Sequence, residues 1–155
     1  MKIEEELRSS FRNDYQKLVV NLYLTFSRLH EPFHELLKSF DITPTQYNVL
    51  RILKGQKGNP ASIGLIKERL IERNSDVSRI IARLYKKKLI NLKNNILDRR
   101  QKDVLINDLG LDLLTRIEAN SSFFDTKIKH ISLEEVRIMN DLLDKLRGTE
   151  TATVE

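Results

Sequence analysis

The chain has 155 residues, with 27 Lys and Arg against 22 Asp and Glu, and no cysteine. That length suits one domain with an ordinary core, and the missing thiols exclude disulfides, thiolate zinc sites and thiol-based redox sensing. No apolar run approaches the ~20 residues of a membrane span, and the charged start M-K-I-E-E-E-L-R lacks the apolar centre of a signal peptide, so a cytoplasmic location away from membranes is expected.

The surplus positive charge is local. From Lys67 to Asp103 there are twelve basic residues against five acidic, a net +7, which leaves the remainder at −2. A basic block on a near-neutral body is the footprint of a polyanion binder.

In chain order, Phe11, Tyr15, Leu18, Val19, Leu22, Phe26 and Leu29 recur at helical spacing and predict an amphipathic helix from about Arg8 to His30. Pro32 is expected to break or kink it, because proline removes a backbone donor and clashes with the preceding turn. A short helix restarting there carries Phe33, Leu36, Leu37 and Phe40. Thr43-Pro44-Thr45-Gln46 reads as a capping box with proline at the first helical position, and Ile42 and Tyr47 sit at staple positions. That helix runs through Leu50 and Leu53 to about Gly55. Gly58-Asn59-Pro60 is a loop, and Ser62 to Leu70 is a short helix with Ile63, Ile66 and Leu70 inward.

Residues Asn74 to Leu89 predict the next helix. Val77, Ile81 and Leu84 stack at i, i+4, i+7 with Ile80 beside them. The opposite side carries Ser75, Arg79, Ala82 and Lys86, flanked by Ser78 and Arg83, and has no carboxylate after Asp76. A solvated helix face usually mixes signs. A cationic face with small hydroxyls suits a DNA major groove, where Arg reads guanine edges and Lys, Arg and Ser hold phosphates. A short helix, a tight turn and this helix make a helix-turn-helix.

The period then becomes alternating. Leu89–Lys93 and Gln101–Asn107 predict two strands, with Ile90 and Leu92 on one and Val104 and Ile106 on the other. The polar loop between them ends in Arg99 and Arg100, so the hairpin reads as a wing whose tip can enter a minor groove. Asp98 is near enough to orient one arginine by a bidentate pair. Asn107 is an expected N-cap for a helix from Asp108 to about Lys129. Ser132-Leu133-Glu134-Glu135 is a second capping box, with Ile131 and Val136 as its staple. The last helix carries Val136, Met139, Leu142, Leu143 and Leu146 and ends at Gly148. The tail from 148 to 155 reads as disordered.

The run N-S-D-V-S-R-I-I-A-R-L-Y-K-K-K-L-I, followed by D-R-R-Q-K-D-V-L-I-N-D-L-G, resembles the recognition helix and wing of the MarR family of bacterial transcriptional regulators. The likeness spans about Phe11 to Arg147. It implies a mainly α fold with a small β-hairpin wing: a winged helix-turn-helix at about 42–107, with dimerisation helices at about 8–40 and 108–147. It also implies a homodimer on a pseudo-palindromic double-stranded operator, repressing until a small molecule releases it. Ser75, Ser78, Arg79 and Arg83 fall on the recognition helix, and Asp98 and Arg100 on the wing's aspartate–arginine pair. Two positions depart from the pattern. Lys88 stands where the family often has glycine, and a left-handed backbone there costs lysine ~1 kcal/mol or more. Asn91 and Leu92 stand where an arginine is often found.

Other signals point less far. His30 and His34 are four apart, with Glu31 and Glu35 nearby, but two imidazoles alone do not make a metal site, and none is assigned. His130, beside a helix start, reads as structural. The aromatics Phe11, Tyr15, Tyr23, Phe26, Phe33, Phe40 and Tyr47 suit a core, a dimer interface or an effector pocket. There is no nucleophile–base arrangement, paired-carboxylate site or Gly-rich phosphate loop, so neither enzymatic activity nor a cofactor is expected. The competing reading is a winged-helix protein-interaction module whose basic face docks on an acidic partner.

Overall fold

The computed structural model describes residues 2–95, 102–121 and 128–148. The chain divides into two compact units, Met1–Ser121 and Ser122–Glu155. Among the described residues no helix is long and apolar enough to cross a membrane.

The first unit opens with a short helix that the periodicity does not reveal, α1 (Ile3–Leu7), with Ile3 buried. Too short to show a period, it is tied to the next helix by Glu4–Lys17 at 2.6 Å and by Glu6–Arg28. The Lys17 ammonium holds the Glu4 carboxyl below its ordinary pKa.

Helix α2 (Asp14–Ser39) starts later than the periodicity suggests, because Asn13 caps it by accepting from the Gln16 N–H at 2.9 Å. It also corrects the expected break. The helix runs through Pro32 without interruption. Proline removes one internal hydrogen bond, at a cost of about 3 kcal/mol, and the packing of Phe33, Leu36, Leu37 and Phe40 on the core outweighs it. The turn behind it closes with Ile42 N–H on the Leu37 carbonyl and Asp41 at φ 55°.

Helix α3 (Pro44–Gly55) has the expected capping box, with Thr43 and Gln46 bonded reciprocally at 3.2 and 3.1 Å. Its Val49, Leu50 and Leu53 form the centre of the core. A two-residue strand, β1 (Ala61–Ser62), leads into α4 (Ile63–Arg69), which Ser62 caps. Helix α5 (Val77–Lys86) follows a tight turn, then β2 (Ile90–Asn94), β3 (Lys102–Ile106) and α6 (Asp108–Asn120).

The sheet is antiparallel, in the order β1-β3-β2, and its register places Ile90 opposite Ile106 and Leu92 opposite Val104. The expected inward residues therefore share one face. Strand β1 is not legible in the sequence, since two residues have no period, and its pairing of Ala61 with Val104 is a long-range choice. Asn107 caps α6, as expected, by accepting from Gly110 N–H at 3.1 Å. A side chain at Gly110 would meet the Leu89 carbonyl at 2.4 Å, so only glycine lets α6 start this close to the exit from α5.

The predicted helix from 108 to 129 instead stops at Asn120. Ser121 is its C-cap, with φ −93°, ψ 0° and a hydroxyl bonded to the Glu118 carbonyl at 2.7 Å. A serine offering the backbone this alternative partner ends a helix that the apolar spacing alone would extend.

The second unit contains α7 (Leu133–Leu146), whose capping box joins Ser132 and Glu135 as expected. Gly148, at φ 66°, follows the C-cap Arg147.

Candidate nucleic-acid interface

Among the described elements, helix α5 is the most strongly two-faced. Val77, Ile81 and Leu84 are buried in the core shared with α3, α4 and α6, and Ile80 is half-buried. Ser78, Arg79, Ala82, Arg83 and Lys86 are all exposed on the other side. Asp76 is the N-cap, accepting from the Arg79 N–H at 3.1 Å. The helix is therefore shorter than the predicted 74–89. Asp76 at its start is used in capping, and the outer face of α5 itself carries no acid.

Ser75 is corrected by the same boundary: it lies before the cap, not on the helix. It is half-buried, and its hydroxyl donates to the Glu72 carboxylate at 3.3 Å.

Among the described residues Arg79, Arg83 and Lys86 form no ion pair. Lys87, one position further round, is held by Asp41 at 2.5 Å. Tyr85 is also exposed on α5, a feature the periodicity does not single out.

The exit from α5 has the geometry that the Lys88 departure raised. Lys88 sits at φ 59°. Its N–H bonds the Tyr85 carbonyl, and the Leu89 N–H bonds the Leu84 carbonyl, at 2.9 and 3.1 Å. This is a Schellman closure with lysine where glycine is favoured. The Asn107 amide donates to the Lys88 carbonyl at 2.9 Å and so ties the exit to the start of α6.

The hairpin behind α5 stands where a wing should, with Lys93 and Lys102 exposed on its strands. Asn95 donates to both carboxylate oxygens of Asp103 at 3.0 and 3.1 Å. The tip residues Asp98, Arg99 and Arg100 lie outside the described residues.

A cavity of about 460 Å³ opens between α2, α3 and the turn that leads into α5. Phe26, His30 and Phe33 line it from α2, and Tyr47, Asn48 and Arg51 from α3. Phe33 and Tyr47 meet edge to face at 5.2 Å. The Arg51 guanidinium donates to the Tyr47 hydroxyl at 3.1 Å, and this bond raises its pKa further. Three of the seven aromatics noted in the sequence thus line one cavity, while Tyr15 and Tyr23 stand exposed on α2. Because α2 is unbroken, His30 and His34 share a face with ring centroids 6.0 Å apart. Among the described residues no group of three or more metal-binding side chains forms.

No protein-family model and no curated protein matches the sequence. Solved structures do match. The MarR transcription factor of Planctomyces limnophilus is 25% identical with a TM-score of 0.66, covering 87% of this chain and 98% of that one. BpsR of Bordetella bronchiseptica is 19% identical with a TM-score of 0.77, covering 92% and 100%. A mutant of MepR from S. aureus, solved bound to an oligodeoxyribonucleotide, is 22% identical with a TM-score of 0.58, covering 83% and 94%. Helix order, three-stranded sheet and these likenesses agree: the chain is built on the winged helix-turn-helix fold of the MarR-family transcriptional regulators.

Proposed function

We propose that this protein is a homodimeric, sequence-specific DNA-binding transcriptional regulator, a repressor released from its operator by a small molecule. The observation that carries this reading is the outer face of α5: three cations with no ion pair among the described residues, no acid, and an opposite face anchored in the core. Ser78, Arg79, Arg83 and Lys86 would contact bases and phosphates in a major groove, with Ser75 at the helix entrance. Arg99 and Arg100 would add wing contacts, with Asp98 orienting one of them.

The dimer is supported by apolar side chains left exposed on two helices. On α2 these include Tyr15, Val19, Tyr23 and Phe26, and on α7 Leu133, Met139, Leu142 and Leu146. Exposed apolar stripes of this kind mark contact surfaces. The effector is supported by the aromatic-lined cavity, whose Arg51 is placed to meet an acidic or hydroxylated ring. DNA binding by the structurally similar BpsR is regulated by 6-hydroxynicotinic acid, and another similar regulator, an organohalide sensor, has been solved with 2,4-dichlorophenol.

Selection of DNA from a random-sequence pool by the purified protein tests the reading. It should enrich a pseudo-palindrome with half-sites about one helical turn apart. A retained pool with no enriched sequence would favour the protein-interaction module instead.

A further inference from the structure

The cavity and the start of the recognition helix share a wall. The turn Ile71–Ser75 between α4 and α5 is held to α3 by two side chains. The Thr45 hydroxyl donates to Glu72 Oε2 at 3.0 Å, and the Asn48 Oδ1 accepts from the Ile71 N–H at 3.1 Å. The same Glu72 Oε2 receives the Ser75 hydroxyl, and the Glu72 carbonyl receives the Ser75 N–H at 3.2 Å. Ser75 is followed directly by Asp76, the N-cap of α5. All four partners in the α3-to-turn bonds, Thr45, Asn48, Ile71 and Glu72, line the cavity. An occupant that fills it therefore presses on both ends of the bonds that hold the turn.

We propose that Glu72 is the positioning residue through which occupancy of this cavity reaches the recognition helix. An occupant displaces its carboxylate from Thr45 and Ser75, and the turn into α5 loosens. The inference rests on the reading of the cavity as an effector site. Its energetics suit a switch. Solvent-accessible polar contacts are individually weak, so a small molecule can release them, whereas the buried Val77–Ile81–Leu84 face keeps α5 attached to the core. The released state is a loosened helix start, not an unfolded protein.

The chain has no cysteine, so one introduced thiol can be labelled alone. An Arg51→Cys variant treated with benzyl methanethiosulfonate places a phenyl ring in the cavity, whatever the natural ligand is. Amide hydrogen exchange of the full chain then reads the segment Ile71–Arg79. Labelling should speed exchange there about fivefold, roughly the factor carried by one ordinary exposed hydrogen bond, and leave α6 unchanged. Adding Glu72→Ala should give the fast rate without label, and labelling should then add nothing. If Glu72→Ala also loosens α6, Thr45→Val takes its place, since it removes one donor without altering charge. An unchanged rate on labelling overturns the proposal, and so does an equal rise with and without Glu72. The measurement uses no DNA. Its failure is thus separate from failure of the DNA-binding reading, which the pool selection reports.

Discussion

Arg79 stands on the third position of α5, exposed and without an ion pair among the described residues, with only its backbone N–H engaged by the Asp76 cap. Its substitution should therefore leave the fold intact. Arg79→Ala is expected to lower affinity for the selected operator by about 1–3 kcal/mol if the guanidinium grips a base edge, and evenly across sequences if it grips a phosphate. Titration of matched and mismatched duplexes separates the two, and unchanged affinity on both would remove Arg79 from the interface. Lys88 poses the opposite problem, a residue whose backbone is unfavourable in a closure that is otherwise complete. Lys88→Gly should relieve roughly 1 kcal/mol of left-handed strain. Calorimetry should show this as a rise in Tm of about 3 °C for a chain of this size. A lower Tm would mean that the aliphatic stem of the lysine contributes more than its backbone costs.

At the scale of elements, the capping boxes decide where helices begin. The Glu135 carboxyl in α7 is held below its ordinary pKa by the Ser132 backbone N–H and then by the Ser132 hydroxyl. A carboxylate with a depressed folded-state pKa stabilises the fold above its unfolded value and loses that contribution as pH falls through the folded value. Wild type and Glu135→Gln should therefore differ in amide protection over Leu133–Val136 at neutral pH. The two should converge on acidification below the usual carboxylate range. A difference that persists in acid would show that the carboxylate is not the capping group. Where helices end is governed less by spacing. Ser121 ends α6 by a local hydroxyl–carbonyl bond, and Pro32 fails to end α2 because the residues beyond it are needed in the core.

At the scale of the whole molecule, DNA binding by a dimer should depend steeply on salt. A dimer using Arg79, Arg83, Lys86 and one wing arginine per subunit makes on the order of eight phosphate contacts. The slope of log affinity against log salt should then be roughly −5 to −8. Replacing both wing arginines, Arg99→Ala and Arg100→Ala, should flatten it by about two, since the one wing contact counted per subunit is lost twice. A slope that stays the same with the fold intact would mean that the wing does not touch DNA. The dimer itself is checked by mass in solution at micromolar concentration, where a monomer would refute it. A dimer would explain why so much of α2 and α7 is apolar and exposed.

Much of this architecture was legible locally. The caps at Thr43, Asn107 and Ser132, the buried stripe Val77–Ile81–Leu84 and the alternation in β2 and β3 each depend on residues a few positions apart. Their chemistry acts within one turn or one hairpin, so the amino-acid order alone determines them. What the order could not decide depended on partners far along the chain. The continuity of α2 through Pro32 rests on packing against α3, and β1 exists because Ala61 meets Val104. The cavity and its Glu72 clamp bring Phe26, Thr45 and Glu72 together across long stretches of sequence. Aromatic residues at helical spacing look the same whether they fill a core, cover a partner or line a cavity. Only tertiary packing assigns Phe33 and Tyr47 to a cavity wall and leaves Tyr15 and Tyr23 in solvent, because burial is a property of neighbours in space, which local spacing does not record.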